Sequence, residues 1–418
     1  MELFASIAFV ATLVLIATEW LHRTLIVMFG AATFVLIGVL EQHQAFESID
    51  LATLGLLVAM MIIVAVIERT GIFEYLAIVA LRASKGRPAR VVFMLALLTA
   101  VLSAFLDNLT TVLLMAPLVI ATCSRLGMKP APLLIIMILA SNIGGTATLV
   151  GDPPNIMIAG ATGLSFNSFL TNLAPIAFTT LFVVTSVLYW AARRSFQRDH
   201  DEDIIIEDLL EDVTLATGRE LWLPLSVLGL VMIGFVLHAP LHLEPATVAL
   251  AGAALLLFLR GAENMEASFD AVDWTTLFFF AGLFVMVGGL EQQGVLEDIA
   301  TWTRDVTGGH RTSELLGILG ISALGSGVVD NIPFTAAMIP VVDQLNPGHD
   351  DSYWWALSLG ACFGGNATII AAAANVATQG VAERHGISIT FRGFLGWGLA
   401  ATAMSIAIAA GFLLLFHA

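Results

Sequence analysis

Asp107 and Asn108 stand inside apolar sequence, followed by Leu109, Thr110, Thr111 and later Pro117. Asp330 and Asn331 repeat the pair 223 residues on, followed by Ile332, Pro333, Phe334, Thr335 and later Pro340. A carboxylate inside apolar sequence is costly, and its default functional reading is a proton or cation site. The competing reading is structural, because Asp and Asn are favoured helix N-caps. A second motif is also written twice. Asn142 and Gly144-Gly145-Thr146-Ala147-Thr148, then Gly151-Asp152-Pro153-Pro154-Asn155, recur at a spacing of 220 as Gly364-Gly365-Asn366-Ala367-Thr368 and Asn375. Proline removes a backbone donor and clashes with the preceding turn, so the first copy predicts a helix broken in mid-membrane. The second copy carries Ala371 to Ala374 where the first has Gly-Asp-Pro-Pro, so the two half-sites are unequal.

A broken helix exposes unpaired amides at one new end and unpaired carbonyls at the other. Amides suit an anionic or hydroxylated solute, and carbonyls suit a cation. Thr110, Thr111, Thr146, Thr148, Thr335 and Thr368 either add hydroxyls to the same cavity or bond their own backbone. Asn155 and Asn375 open the second half-helices, where each can cap and still turn one group toward a ligand.

The elements that hold these residues must lie in a bilayer. The chain of 418 residues is 58% hydrophobic and 12% charged, with a mean hydropathy of +0.92; a soluble domain carries about a quarter charged residues. Windows long enough to cross a bilayer predict ten spans, at 3–20, 24–40, 51–67, 131–163 (interrupted), 168–192, 222–238, 245–260, 274–290, 355–385 (interrupted) and 394–416. The blocks 91–123 and 313–345, each with an Asp-Asn pair near its middle, are read as re-entrant hairpins. Asp50, Glu68, Gly71 and Glu74 also recur 223 residues later, as Asp273, Glu291, Gly294 and Glu297. The four glutamates lie at span ends, where a solvated interfacial position is expected.

With the N-terminus outside, 15 of the 17 Lys and Arg residues fall on the cytoplasmic side, as the positive-inside rule requires. Five crossings then separate each motif from its copy, which turns the second upside down. The expected architecture is an all-α polytopic membrane protein of two inverted repeats, 1–192 and 220–418, joined by an acidic cytoplasmic linker at 193–219. Each repeat has five transmembrane helices, one of them unwound, and one hairpin. Both termini are expected outside a cell inner membrane. The net charge of −16 owes eight acidic residues to Asp199–Asp212, read as a solvated connector. Cys123 and Cys362 form no disulfide framework, and no cofactor, metal cluster or nucleic-acid partner is expected. An enzyme is disfavoured, since no third catalytic group accompanies the Asp pair.

At Asp107–Leu114, Asn142–Gly145, Gly151–Asn155 and Asp330–Thr335 the chain resembles the ion transporter superfamily that includes ArsB, NhaD and the melanosomal P protein, most closely the P-protein branch. The resemblance covers nearly the whole chain. It implies a scaffold, a transport unit of two hairpins and two unwound helices, and a homodimer. The related divalent-anion symporters carry Ser-Asn-Thr at both hairpin tips, where this chain has Asp-Asn. The function expected first is proton-coupled efflux of arsenite or antimonite. A sodium/proton antiporter of the NhaD type and a transporter of inorganic or organic anions are the alternatives. The ion-binding set is Asp107, Asn108, Thr110, Thr111, Asn142, Gly144, Gly145, Thr146, Thr148, Asp152, Asn155, Asp330, Asn331, Thr335, Gly364, Gly365, Asn366, Thr368 and Asn375.

Overall fold

Runs of Leu, Ile, Val and Ala bounded by Asp, Ser, Thr or Pro at one end and Gly at the other specify helices, and the computed structural model is helical throughout. It describes residues 1–18, 20–196, 215–261 and 265–417, with no strand among them. Most of the acidic linker, 197–214, lies outside the described residues.

Ten helices precede the linker. They are α1 (Glu2–Ala17), α2 (Arg23–Ile37), α3 (Gln42–Glu47), α4 (Leu51–Glu68), α5 (Ile72–Ser84), α6 (Pro88–Ser103), α7 (Asn108–Leu126), α8 (Pro130–Gly145), α9 (Pro153–Thr162) and α10 (Phe166–Ala192). After it come α11 (Arg219–Leu237), α12 (Pro245–Arg260), α13 (Met265–Asp270), α14 (Trp274–Gln292), α15 (Val295–Thr307), α16 (Arg311–Val328), α17 (Asn331–Leu345), α18 (Asp351–Gly364), α19 (Ala373–Arg384) and α20 (Phe391–Phe416). The same order of long, short and broken helices therefore runs twice. Among the described residues six helices are long and apolar enough to cross a membrane, α4, α7, α10 with its 3-10 extension, α11, α14 and α20. Five shorter apolar helices accompany them.

Two amphipathic helices, α5 and α15, lie where the apolar windows left connectors. They follow Gly71 and Gly294, both at positive φ, a backbone region that glycine enters without a Cβ penalty. Packing across the halves is reciprocal: α2 lies on α14 and α4 on α12, while α7 lies on α19 and α9 on α17. The broken helices α8 and α18 also meet. Every residue from Leu133 to Gly145 and from Ser352 to Gly364 is buried, so both broken helices run through the protein core and away from lipid.

Candidate functional site

Asp107 and Asp330 stand at the junctions of two helix pairs, α6 with α7 and α16 with α17. Each caps the second helix of its pair. Asp107 Oδ1 accepts from the Thr110 amide at 2.9 Å and Oδ2 from the Thr110 hydroxyl at 2.6 Å. Asp330 Oδ1 accepts from the Ile332 amide at 3.0 Å. The structural role of these acids is therefore real, and it leaves the carboxylates facing space. Asp330 Oδ2 receives the Arg23 guanidinium at 3.1 Å, and Arg23 also lies over the Phe279 ring, 5.1 Å from its centroid.

The breaks sit beside these tips. Helix α8 ends at Gly145 and α9 begins at Pro153, with Asp152 between them; α18 ends at Gly364 and α19 begins at Ala373. Orphan carbonyls at the ends of the first half-helices find amide partners. Asn155 Nδ2 donates to the Thr146 and Thr148 carbonyls at 3.1 and 2.8 Å, and Asn375 Nδ2 to those of Gly365 and Thr368 at 2.8 and 2.9 Å. Their other atoms tie the halves together. Asn142 Nδ2 donates to Asn366 Oδ1 at 3.0 Å and to Asn375 Oδ1 at 2.9 Å, and the Ser358 hydroxyl donates to Asn155 Oδ1 at 2.5 Å. Glycine permits the close approach that this needs. A methyl at Gly144 would stand 2.3 Å from the Ala100 backbone, and one at Gly145 2.3 Å from Asn108 Oδ1.

A cavity of about 160 Å³ opens where both tips, both breaks and α4 converge. Its polar wall is Arg23, Glu68, Asp107, Asn108, Thr110, Asp152, Asp273, Thr276 and Asn331, and its apolar wall includes Leu57, Met61, Val64 and Ala372–Ala374. Four carboxylates face one guanidinium. Asp152 is 1% exposed. Its Oδ1 accepts from Asn331 Nδ2 at 3.3 Å, while Oδ2 has no hydrogen-bond partner, although Asn108 and the Cys362 thiol lie close. The two helix starts in the wall differ chemically. The first turn of α9 holds Pro153 and Pro154, which have no N–H, whereas α19 offers the amides of Ala373 and Ala374, which lack intrahelical partners by position. One end of the cavity suits a cation and the other an electronegative atom. A second cavity, about 530 Å³, lies beyond the Arg23–Asp330 pair and includes Trp20, His22 and Ala377 in its wall.

Of the expected set, Asp107, Asn108, Thr110, Asp152 and Asn331 line the polar cavity, and Asp330 faces the second one. Asn142, Asn155, Asn366 and Asn375 form the layer behind. Hydroxyls of Thr146, Thr148, Thr335 and Thr368 donate to the carbonyls of Asn142, Ala104, Asn331 and Gly327, so they serve the backbone. Thr111 Oγ1, buried in α7, has no hydrogen-bond partner. Gly364 packs on the Ala323 backbone as Gly144 does on Ala100, and Gly365 turns the chain into the second break. Arg23, Glu68, Asp273 and Thr276 were absent from the expected set. The signal for Asp273 lies in its 223-residue spacing from Asp50.

The described family "citrate transporter" (CitMHS) matches residues 13–360. An uncharacterized transporter of Mycobacterium tuberculosis (strain H37Rv) is 43% identical over 99% of this chain and 98% of its own length. The 46 kDa membrane protein of Mycobacterium leprae is 41% identical, covering 98% and 97%. The human P protein is 33% identical over 96% of this chain, which spans 58% of that protein. Among solved structures, the YdaH transporter of Alcanivorax borkumensis, at 17% identity, superposes with a TM-score of 0.59 over 91% of this chain and 87% of that one, so the fold is shared. Apolar helices around a buried, doubly broken polar centre, matched along most of the sequence, make this chain a multi-pass membrane transporter of the CitMHS citrate transporter family.

Proposed function

We propose that the protein is a secondary active transporter in which protons and a monovalent cation compete for the carboxylates of the polar cavity. The observation that carries this is the wall itself, where among the described residues Glu68, Asp107, Asp152 and Asp273 face the Arg23 guanidinium, with an Asp152 oxygen that has no hydrogen-bond partner. A buried carboxylate is tolerated when protonated, paired or coordinating a cation, so losing a proton makes room for a cation and the reverse. The doubled helix order and the reciprocal packing across the halves support an inverted repeat, and inverted repeats supply two states of similar energy for alternating access. The cytoplasmic face is then the side of Glu68 and Asp273, and the cavity opens inward.

Arsenite or antimonite efflux is the second reading. It draws on a neutral trihydroxide bridging the Ala373 and Ala374 amides and the carboxylates, but the hydroxyls of Thr146, Thr148, Thr335 and Thr368 already bond backbone carbonyls. Citrate, the solute in the family's description, would bring three carboxylates to a wall that already holds four. The test is purified protein in liposomes with a trapped pH dye. Adding sodium or lithium outside should move protons, and Asp107→Asn should abolish the response. Proton movement driven by arsenite or citrate, with none driven by sodium or lithium, would overturn the cation reading.

A further inference from the structure

The broken helices carry glycines at matching places, and only one of the two is docked. Gly160 in α9 and Gly380 in α19 keep the 220-residue spacing of the breaks. A methyl group at Gly160 would stand 2.3 Å from Asp50 Oδ2 and 2.8 Å from Thr53 Oγ1. Those two residues cap α4, with Asp50 accepting from the Thr53 amide at 3.0 Å and from its hydroxyl. A methyl at Gly380 would meet nothing within 4 Å. Yet the matching cap exists at the start of α14, where Asp273 accepts from the Thr276 amide at 3.0 Å and from its hydroxyl at 2.6 Å. Among the described residues no glycine lies against that cap, and it faces the polar cavity.

The charges share this asymmetry. Arg23, at the start of α2, holds Asp330 of the second tip. At the spacing of 223 its place is taken by Ala246, which offers Asp107 no charge. Thr53 and Ala246 instead border a cavity of about 170 Å³ whose wall contains neither hairpin-tip acid. Gly160 is thus engaged with its cap and Gly380 is not, with the docking parts present in both halves.

We infer that Gly380 is the landing residue of the alternate conformation: α19 seats it on the Asp273–Thr276 cap as α9 now seats Gly160 on the Asp50–Thr53 cap. That movement closes the polar cavity, parts Asp330 from Arg23 and opens the side of Thr53 and Ala246. The inference rests on the alternating-access reading above. It requires the absence of a side chain at each glycine only in the conformation where that glycine is docked.

The test uses full-length protein with Cys123 and Cys362 replaced by alanine, in oriented vesicles, with an impermeant maleimide. Met61→Cys reports the polar cavity, and Leu56→Cys, 3% exposed here, reports the opposite side. Gly380→Leu fits the present conformation and should fold. It should leave Met61→Cys labelling at or above the unmodified rate and slow Leu56→Cys labelling about 10-fold or more, the mark of a population pushed to one state. Gly160→Leu should do the reverse. Unchanged Leu56→Cys labelling in Gly380→Leu would overturn the docking assignment. A protein without these substitutions in which sodium and proton gradients never shift the two labelling rates in opposite directions would instead overturn alternating access.

Discussion

Asp152 lies between Pro153 and the unwound end of α8, its Oδ1 held by Asn331 and its Oδ2 bare. Replacing a buried ionisable group by a neutral isostere removes its desolvation cost, so Asp152→Asn is expected to raise stability, by about 1–3 kcal/mol, while cutting sodium-driven proton flux at least tenfold. Thermal unfolding in detergent and the liposome assay read the two effects separately. Arg23 behaves in the opposite way. Arg23→Gln leaves Asp330, 7% exposed, without its counter-charge, and the loss should be about 1–3 kcal/mol, reduced from a fully buried pair by the partial exposure of Arg23. The double variant Arg23→Gln/Asp330→Asn should recover most of it, and a double variant as unstable as the single one would show that Arg23 acts through packing alone. The sequence made Asp107, Asp330 and Asp152 legible because a carboxylate in apolar context stands out. Arg23 and Asp273 were hidden for the converse reason, since charge at a helix end is where solvent is ordinarily found, and Glu68, read as a solvated span-end acid, is exposed as well as lining the cavity.

Helix packing sets how tightly the broken segments are held, and here glycine has two distinct meanings. In α8 a Cβ at Gly144 would overlap the Ala100 backbone of α6, which cannot move aside as a side chain can. Gly144→Ala should therefore cost about 1–3 kcal/mol or more. In α20 a Cβ at Gly411 meets nothing within 4 Å, and Gly411→Ala should stabilise by up to about 1 kcal/mol through helix propensity. Melting temperatures of the two variants should move in opposite directions. The long and broken helices were readable from hydropathy and from the Gly and Pro runs. Helices α5 and α15 were not, because at 13 residues each they are too short to register as spans, and α15 is also strongly polar on one face; the repeated Gly71 and Gly294 mark the turns that start them. Threonine was the least legible residue, since a hydroxyl aimed at a ligand and one bonded to a nearby carbonyl look alike in sequence.

At the scale of the molecule, two helix starts in the second half are clamped together. Arg311 Nε donates to Asp350 Oδ2 at 2.7 Å, and the Ser352 hydroxyl donates to Oδ1 at 2.6 Å, tying the start of α16 to that of α18. Partial burial alone would raise the Asp350 pKa, but the Ser352 bonds and the Arg311 guanidinium outweigh it and hold the group below the usual carboxylate range. A depressed folded-state value contributes stability that is fully present above the unfolded value of about 4 and is lost as pH falls through the folded one. The melting temperature of the protein should thus fall more steeply below that pH than that of Asp350→Asn, and parallel curves would remove Asp350 from the account. The amide of Asn142, shared between Asn366 and Asn375, carries a different lesson. It joins the two interrupted helices, one from each half of the chain, so that under the alternating-access proposal they would move as a single block. Cargo would be carried by that block as one piece sliding past α2, α4, α12 and α14, and not squeezed between halves that open like a clam.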